Sequence, residues 1–237
     1  MVLLSALAWL ALVRMRADMR AMPGMRMPGV PVSTATDFAM LFVMWAVMMA
    51  AMMLPSAAPM ILLVASINRR RRERASPAAP TAAFASGYLL AWTAFSGLAA
   101  LAQTVLHQGA LLTPAMASAN PMLGGSLLIA AGVYQWLPVK AGCLHHCRSP
   151  IHFLGTEWRE RAAGSLVMGL RHGLYCIGCC WALMALLFVA GVMNLAWVAA
   201  IAALVLVEKV VPAGPWIGRL TGLALLGWGV LVLAGGH

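Results

Sequence analysis

The stretch GSLVMGLRHGLYCIGCCWALMALLFVAGV, residues 164–192, decides the fold that this sequence predicts. It is an unbroken apolar run, and it exceeds the ~20 residues that an α-helix needs to cross a bilayer. It also holds three of the five cysteines of the chain. The stretch therefore predicts a transmembrane helix that carries reactive or metal-binding side chains.

Four side chains with metal-binding chemistry share one face of this predicted helix. At about 100° per residue, His172, Cys179 and Cys180 all fall within roughly 60° of Cys176. Thiolate suits Cu(I) and zinc, and imidazole suits both metals as well. A buried cysteine is often only a small apolar core residue, which is the alternative interpretation. We predict that these four residues form the principal metal site.

The composition predicts an all-α membrane protein. The 237 residues are 63% hydrophobic and only 9% charged, too few charges to cover the surface of a soluble domain. Apolar runs recur without strand-like alternation, so helices rather than a barrel satisfy the backbone in lipid. We expect about six to seven transmembrane helices. Residues 1–36 would be a short N-terminal helix and a Met-rich extracytoplasmic loop, and residues 37–237 a helical membrane domain.

The predicted spans and the basic residues between them set the expected orientation. The spans are residues 2–13, 37–67, 81–106, 122–138, 164–192, 195–211 and 216–233. With the N-terminus inside, eleven Lys and Arg residues lie on the cytoplasmic side and four on the opposite side, as the positive-inside rule requires. Segment 139–163 is then a cytoplasmic loop. The net charge of +10 thus reflects membrane orientation, and we expect no nucleic-acid partner.

The loop between the fourth and fifth spans carries a second group of ligands, Cys143, His145, His146 and Cys147. The Cys-x3-Cys spacing lies in the range of zinc sites, and thiolate suits Cu(I) equally. Because Cys176 lies about 18 Å along its span by helical rise, the two groups are expected to be successive stations rather than one site.

Methionine supplies a third group of soft ligands. Twelve of the 18 methionines lie between Met15 and Met60. Met40, Met44, Met48 and Met52 recur every four residues, so their thioethers can lie along one helix face, where a soft Cu(I) ion could pass between them. Met49 and Met53 widen this ladder to about half of the helix circumference. The alternative is that methionine only fills gaps between packed helices.

Several polar residues interrupt the apolar runs and have expected partners. Pro55 and Pro59 should each free a backbone carbonyl, for which Ser56 is a candidate donor. Glu208 is expected at the cytoplasmic interface, paired with Arg219 or with a neighbour of Lys209. Arg171 should face water or the bundle interior, and His107 and His152 are expected to be solvated or to cap helices.

Five motifs in order resemble a bacterial family of unknown function that is described as predicted metal-binding integral membrane proteins. They are MMAAMMLPSAAPM (residues 48–60), QWLPVKAGCLHHCRSP (135–150), GLYCIGCCWALM (173–184), GVMN (191–194) and the EK pair at 208–209. The resemblance covers roughly residues 38–233. It implies an all-helical membrane fold and metal binding, and no activity.

Two functions follow from these ligands. The favoured one is a multi-pass protein of the bacterial inner membrane that binds, transfers or transports copper as Cu(I), with zinc as the second candidate metal. Its partners would be the lipid bilayer and a copper chaperone or a metalloenzyme under assembly. The alternative is a membrane thiol–disulfide oxidoreductase that uses the cysteine pairs. Haem ligation by His172 is the least favoured possibility.

Overall fold

The computed structural model describes residues 2–21, 35–70, 78–113, 116–159 and 161–235, and this part of the chain is helical. Outside the helices, Leu112 and Ser118 form an isolated antiparallel β-bridge. The all-α prediction is confirmed. The helices are α1 (Val2–Ala21), α2 (Ala35–Arg70), α3 (Ala78–Gln108), α4 (Pro121–Tyr134), α5 (Pro138–Arg148), α6 (Pro150–Glu157), α7 (Arg161–Ala185), α8 (Leu187–Ala190), α9 (Leu195–Val210) and α10 (Gly214–Ala234).

Four segments of the described chain are long and apolar enough to cross a membrane: α2, α3, α7 together with α8, and α10. Helices α4 and α5 would make a fifth span as a pair bent by 65°. The expectation of six to seven spans is thus not confirmed. Arg14, Arg16 and Asp18 lie within α1, and α9 has only 16 residues, fewer than a helix normally needs to span.

The predicted loop 139–163 is wrong, because most of it forms helices α5 and α6. Pro138 and Pro150 each occupy the first turn of a helix, where the missing N–H costs nothing. Leu144, Phe153 and Leu154 are buried, so both helices have an apolar side that packs inward. Helix α5 packs on α7 and α9. The loop prediction failed because it followed the polar residues of the segment and ignored this apolar side.

Helices α3 and α7 form the closest pair, and glycines on both helices allow it. A Cβ atom on Gly87 would lie 2.1 Å from the backbone oxygen of Leu166, and one on Gly169 would lie 1.9 Å from that of Phe84. These separations are impossible for any side chain. The backbones therefore touch directly, as in membrane helix pairs with small residues at the interface.

Helix α2 continues through Pro55 and Pro59. The carbonyl of Ala51, which Pro55 frees, accepts a hydrogen bond from Ser5 of α1 at 3.4 Å. Ser56 instead donates to the carbonyl of Met53 at 2.9 Å, so the predicted partner of Ser56 was wrong. A hydroxyl in a helix reaches back to the carbonyl three or four residues earlier in its own turn, which explains the difference.

The N-terminal helix is longer than the predicted residues 2–13, because α1 continues to Ala21. Met15 and Met19 therefore lie on a helix and not in a loop. The other methionines of the predicted Met-rich loop, Met22, Met25 and Met27, lie outside the described residues.

Two short helices end at the level of the cysteines of α7. The hydroxyl of Tyr134, the last residue of α4, donates to the carbonyl of Gly178. The ammonium of Lys209, in the last turn of α9, donates to the thiol of Cys176. The cysteines therefore lie beside the ends of α4 and α9, while α2, α3 and α7 continue past them.

Candidate metal centre

Helix α5 brings a fourth cysteine to the three of α7. Cys147 packs against the buried cluster that contains Cys176, Cys179 and Cys180, because α5 lies against α7. We call Cys147, Cys176, Cys179 and Cys180 the thiol cluster. The expectation of two successive stations is wrong for Cys147, because the helical fold of α5 places this residue directly against α7.

The cysteines of α7 lie on the buried face of the helix, as the sequence predicted. Cys176, Cys179 and Cys180 are each 1% exposed. The thiols of Cys179 and Cys180 donate to the carbonyl of Cys176 at 3.1 and 3.0 Å, which is the usual reach of a side chain to the preceding turn. All five cysteines of the chain are free thiols.

A buried lysine from α9 completes one side of the thiol cluster. The Nζ atom of Lys209 lies 2.9 Å from Cys176 Sγ and 3.1 Å from the hydroxyl of Ser56. Tyr88 contributes its hydroxyl, 3.1 Å from the same sulfur, and also bonds the carbonyl of Met53 at 3.2 Å. Cys176 therefore has a positive charge beside it, which would favour a thiolate over a neutral thiol.

A thioether from the edge of the predicted methionine ladder also reaches the thiol cluster. The Sδ atom of Met53 lies 4.0 Å from Cys180 Sγ. Met44, Met48 and Met52 are buried in the core of the bundle, each at most 5% exposed. Their burial fits both a packing role and a path of thioethers, so the ladder stays a prediction. Met53 is one of the two methionines that widen the predicted ladder, and it was not predicted to reach the cysteines of α7.

His172 is buried beside the thiol cluster in an aromatic surround. Its ring lies 5.3 to 6.0 Å from the rings of Phe84, Tyr88 and Phe153, measured between centroids. In the described part of the chain, its Nδ1 atom has no hydrogen-bond partner. A buried polar atom without a partner is costly, so this nitrogen is chemically available to a ligand.

Cys143 and Cys147 are four residues apart and share the face of α5 that packs on α7, whereas His145 and His146 are turned toward His152. Cys147 meets the thiol cluster, whereas Cys143 packs against Gly178, where an added Cβ would lie 2.6 Å from its sulfur. His145 and His146 lie next to His152, with the three ring centroids 5.4 to 6.0 Å apart.

Two charged residues of α9 are more deeply buried than the sequence suggested. Glu208 is 1% exposed and forms an ion pair with Lys140 of α5 at 2.7 Å. The expected pairing with Arg219 is wrong, since Arg219 stacks over the rings of Trp136 and Trp216. Lys140 lies on the inner side of α5, which the sequence analysis had treated as a loop. Neighbouring residues Glu208 and Lys209 thus fasten α5 and α7 to the same end of α9.

The chemistry of the thiol cluster fits a soft metal ion. Sulfur donors from α5, α7 and α2 converge, with one cation available to balance thiolate charge. Within the described residues, no three Cys, His, Asp or Glu side chains are arranged as a set of metal ligands. The thiols of Cys179 and Cys180 donate to the Cys176 carbonyl, and the Cys176 thiol accepts from Lys209, so ligation would require these hydrogen bonds to be exchanged for metal–sulfur bonds.

Three residues beside the thiol cluster were not predicted as part of the site: Ser56, Tyr88 and Lys209. One signal was available for Lys209, because an ionisable residue in an apolar helix usually faces a partner inside the protein. Lys209 was predicted instead to lie at the cytoplasmic membrane interface. Nothing in the local sequence of Tyr88 marks it, since its position depends on the close packing of α3 on α7.

Residues 42–232 match the sequence profile of a protein family described as PpoB2, copper chaperone. No curated protein matches the chain, and no solved structure does so either. The matched range includes every helix that contributes a side chain to the thiol cluster.

Proposed function

The chain belongs to the PpoB2 copper chaperone family, and from that premise we propose that it holds Cu(I) at the thiol cluster inside a membrane and passes it to a partner. The observation that carries the proposal is the packing of Cys147 on α5 against the buried cysteines of α7. Thiolate is the side-chain ligand that best selects Cu(I), and here thiols from two helices would share one ion.

Membrane insertion is supported by the four apolar helices and the bent α4–α5 pair. It is also supported by the first turns of α7, where Arg171 is part-exposed and pairs with Glu157 of α6 at 2.7 Å. An exposed ion pair of this kind is stable in water or in the lipid headgroup region. We propose that α5, α6 and the start of α7 lie at the cytoplasmic face of a bacterial inner membrane. The seven-span topology with the N-terminus inside stays our prediction.

Charge balance supports a thiolate site at this position. Cu(I) bound by two thiolates carries a net negative charge, which is costly in a low-dielectric interior unless a cation is near. Lys209 supplies that cation 2.9 Å from Cys176 Sγ. The protein would therefore hold a Cu(I)–thiolate complex as a neutral unit with the lysine. Zinc, which also binds thiolates, is the competing metal that a binding assay must include.

A path for the ion is proposed from the methionines and from Cys147. Met48 and Met52 lie on α2 before Met53, whose thioether reaches the thiol cluster. At the other side, Cys147 is half-buried and lies on the short helix α5. Copper would arrive along the thioethers of α2 and would leave through Cys147. The receiving partner would be a soluble copper chaperone or a metalloenzyme under assembly.

The test is the Cu(I) affinity of two single variants of the full chain, purified in detergent under reducing conditions. Cys147→Ser removes the thiol that contacts the thiol cluster. Cys143→Ser changes the same atom one turn earlier on α5, where the thiol packs on Gly178, and serves as the matched control. Competition with a colorimetric Cu(I) chelator should show at least about tenfold weaker binding for Cys147→Ser only. Equal affinities for both variants and the parent protein would refute the proposal.

The packing of Cys147 against the buried cysteines of α7 also keeps the oxidoreductase alternative in place. Two thiols that lie so near to each other could form a disulfide by losing two electrons and two protons to the oxidised disulfide of a partner. Thiol trapping in cells followed by mass spectrometry separates the two functions. A copper protein should yield alkylated Cys147, whereas an oxidoreductase should yield a substantial disulfide between Cys147 and Cys176 or Cys179.

A further inference from the structure

Three histidines of α5 and α6 form a group of their own outside the thiol cluster. The ring centroids of His145, His146 and His152 are separated by 6.0, 5.4 and 5.8 Å. His145 and His152 are exposed, and His146 is half-buried. From this arrangement we propose that the three side chains, which we call the histidine triad, bind a borderline divalent metal ion such as Zn(II) or Cu(II).

The spacing of the rings is that of a three-imidazole site. A metal–nitrogen bond of about 2.0 Å places a bound ion roughly 3.2 Å from each ring centroid. Three rings around one tetrahedral or trigonal ion then have centroids about 5.2 to 5.6 Å apart. The observed separations exceed this range by at most a few tenths of an ångström. The imidazole rings thus already lie close to the separation that a shared ion requires.

His146 is held in a form suited to ligation. Its Nδ1 atom donates to the backbone carbonyl of Gly142 at 2.9 Å, which leaves Nε2 as the ligand atom. Its ring stacks on Tyr175 of α7, with the centroids 4.3 Å apart and the planes 5° from parallel. A backbone carbonyl behind a ligating histidine is the usual second partner of such a ring, since it fixes the tautomer and the orientation.

The other two rings must turn before they can bind an ion. The three rings meet edge to face, at angles of 73° to 85°, and within the described residues their nitrogens do not form a metal-ligand set. Because His145 and His152 are exposed, rotation about their side-chain bonds meets no packed core. The triad would therefore close around an ion from solution with His146 as its fixed member.

The donor set selects a different class of ion from that of the thiol cluster. Imidazole nitrogens favour zinc, Cu(II) and Ni(II), whereas thiolates and thioethers favour Cu(I). Histidine was predicted here only as part of the segment 143–147, and His152 was expected to be solvated. The inference does not rest on the proposed function, since the triad needs neither the thiol cluster nor Cu(I).

The test is a Co(II) titration of the full chain in detergent, purified under reducing conditions with an affinity tag that contains no histidine. Co(II) is a spectroscopic substitute for zinc. Visible d–d bands report a tetrahedral site, and near-ultraviolet charge transfer appears only when sulfur is a ligand. The variants are His152→Ala and His152→Gln, with His107→Ala as the matched control, because His107 lies on α3 away from the triad.

The triad predicts a tetrahedral Co(II) spectrum without sulfur charge transfer, retained in His107→Ala and in Cys147→Ser. Both His152 variants should bind this Co(II) at least about tenfold more weakly, while circular dichroism and gel-filtration profiles stay unchanged. Retention of the visible bands in both His152 variants would overturn the inference. So would bands that vanish in Cys147→Ser, because the ion would then be bound by the thiol cluster. Absence of any tetrahedral spectrum in the parent protein would overturn it equally.

Discussion

The ammonium of Lys209 lies 2.9 Å from the sulfur of Cys176, in a part of the bundle where both residues are buried. Cys176 belongs to α7, and Lys209 lies in the last turn of α9. A lysine is expensive to bury without a partner of opposite charge. The pair therefore indicates that this end of the bundle is built to keep negative charge on sulfur.

Replacement of this lysine should weaken Cu(I) binding. Lys209→Met keeps the length of the side chain and removes its charge, so the negative Cu(I)–thiolate complex would lose its counter-ion. A charge-assisted hydrogen bond is worth about 1.5 to 3 kcal/mol, which predicts about 10- to 100-fold lower affinity. Lys209→Arg keeps the charge and should lose less. Chelator competition measures both variants.

The stability of the metal-free variant is the control for this prediction. Removing one partner of a buried pair leaves the other partner uncompensated, so the melting temperature of metal-free Lys209→Met should fall, and the affinities are compared at a temperature at which both proteins are folded. If Lys209→Met binds Cu(I) more tightly than the parent protein, the ammonium competes with the metal for sulfur, and the counter-ion role is wrong.

The buried pair of Lys140 and Glu208 should behave as a coupled unit in stability. Each single variant, Glu208→Gln or Lys140→Met, leaves one buried group without its ionic partner and should cost about 3 to 5 kcal/mol. The double variant removes both charges and should be more stable than the sum of the two single losses predicts. Thermal unfolding in detergent gives the four values. Additive losses would mean that the two charges are solvated independently.

The α3–α7 interface should not accept a single added methyl group at Gly169. Gly169→Ala places a Cβ atom against the Phe84 carbonyl, which is backbone and cannot move aside, so a loss of at least about 1 to 3 kcal/mol is expected. Gly227→Ala on α10 is the matched control, because a Cβ there meets nothing within 4 Å. Alanine is the better helix former, so the control should gain about 0.5 to 1 kcal/mol. Similar melting temperatures for both variants would contradict the close backbone contact.

Two exposed positions test the proposed orientation in the membrane. Ile151 on α6 is 83% exposed and should face the cytoplasm, whereas Met122 at the start of α4 is 65% exposed and should face outward. A membrane-impermeant maleimide should label Met122→Cys in intact cells and Ile151→Cys only in inverted vesicles, each compared with the parent protein. The reverse pattern would invert the topology and the direction of the copper path.

Helical class and the buried face of α7 could be predicted because both follow from local spacing. A continuous apolar run fixes the helix, and Cys176, Cys179 and Cys180 at three- and four-residue intervals fix the face. The same spacing did not reveal the partner of that face. Whether Cys147 meets the thiol cluster depends on where the chain turns between α4 and α5, and that turn is set by tertiary packing.

The site residues from distant helices could not be predicted for a related reason. Tyr88 reaches Cys176 only because glycines let α3 approach α7, and Lys209 reaches it only because α9 is short and ends beside it. Both distances depend on how far each helix extends along the bundle. The predicted depth of Cys176 was counted from the start of its own span, whereas the ends of α4 and α9 give a better measure of it.

The central claim is that one Cu(I) ion is bound by thiols from α5 and α7 together. X-ray absorption at the copper edge, on full-length protein loaded with one equivalent of Cu(I), reads the ligands directly. We predict a shell of sulfur donors that loses a sulfur in Cys147→Ser and is unchanged in Cys143→Ser. A shell dominated by nitrogen or oxygen, or a sulfur shell that Cys147→Ser leaves unaltered, would contradict the account.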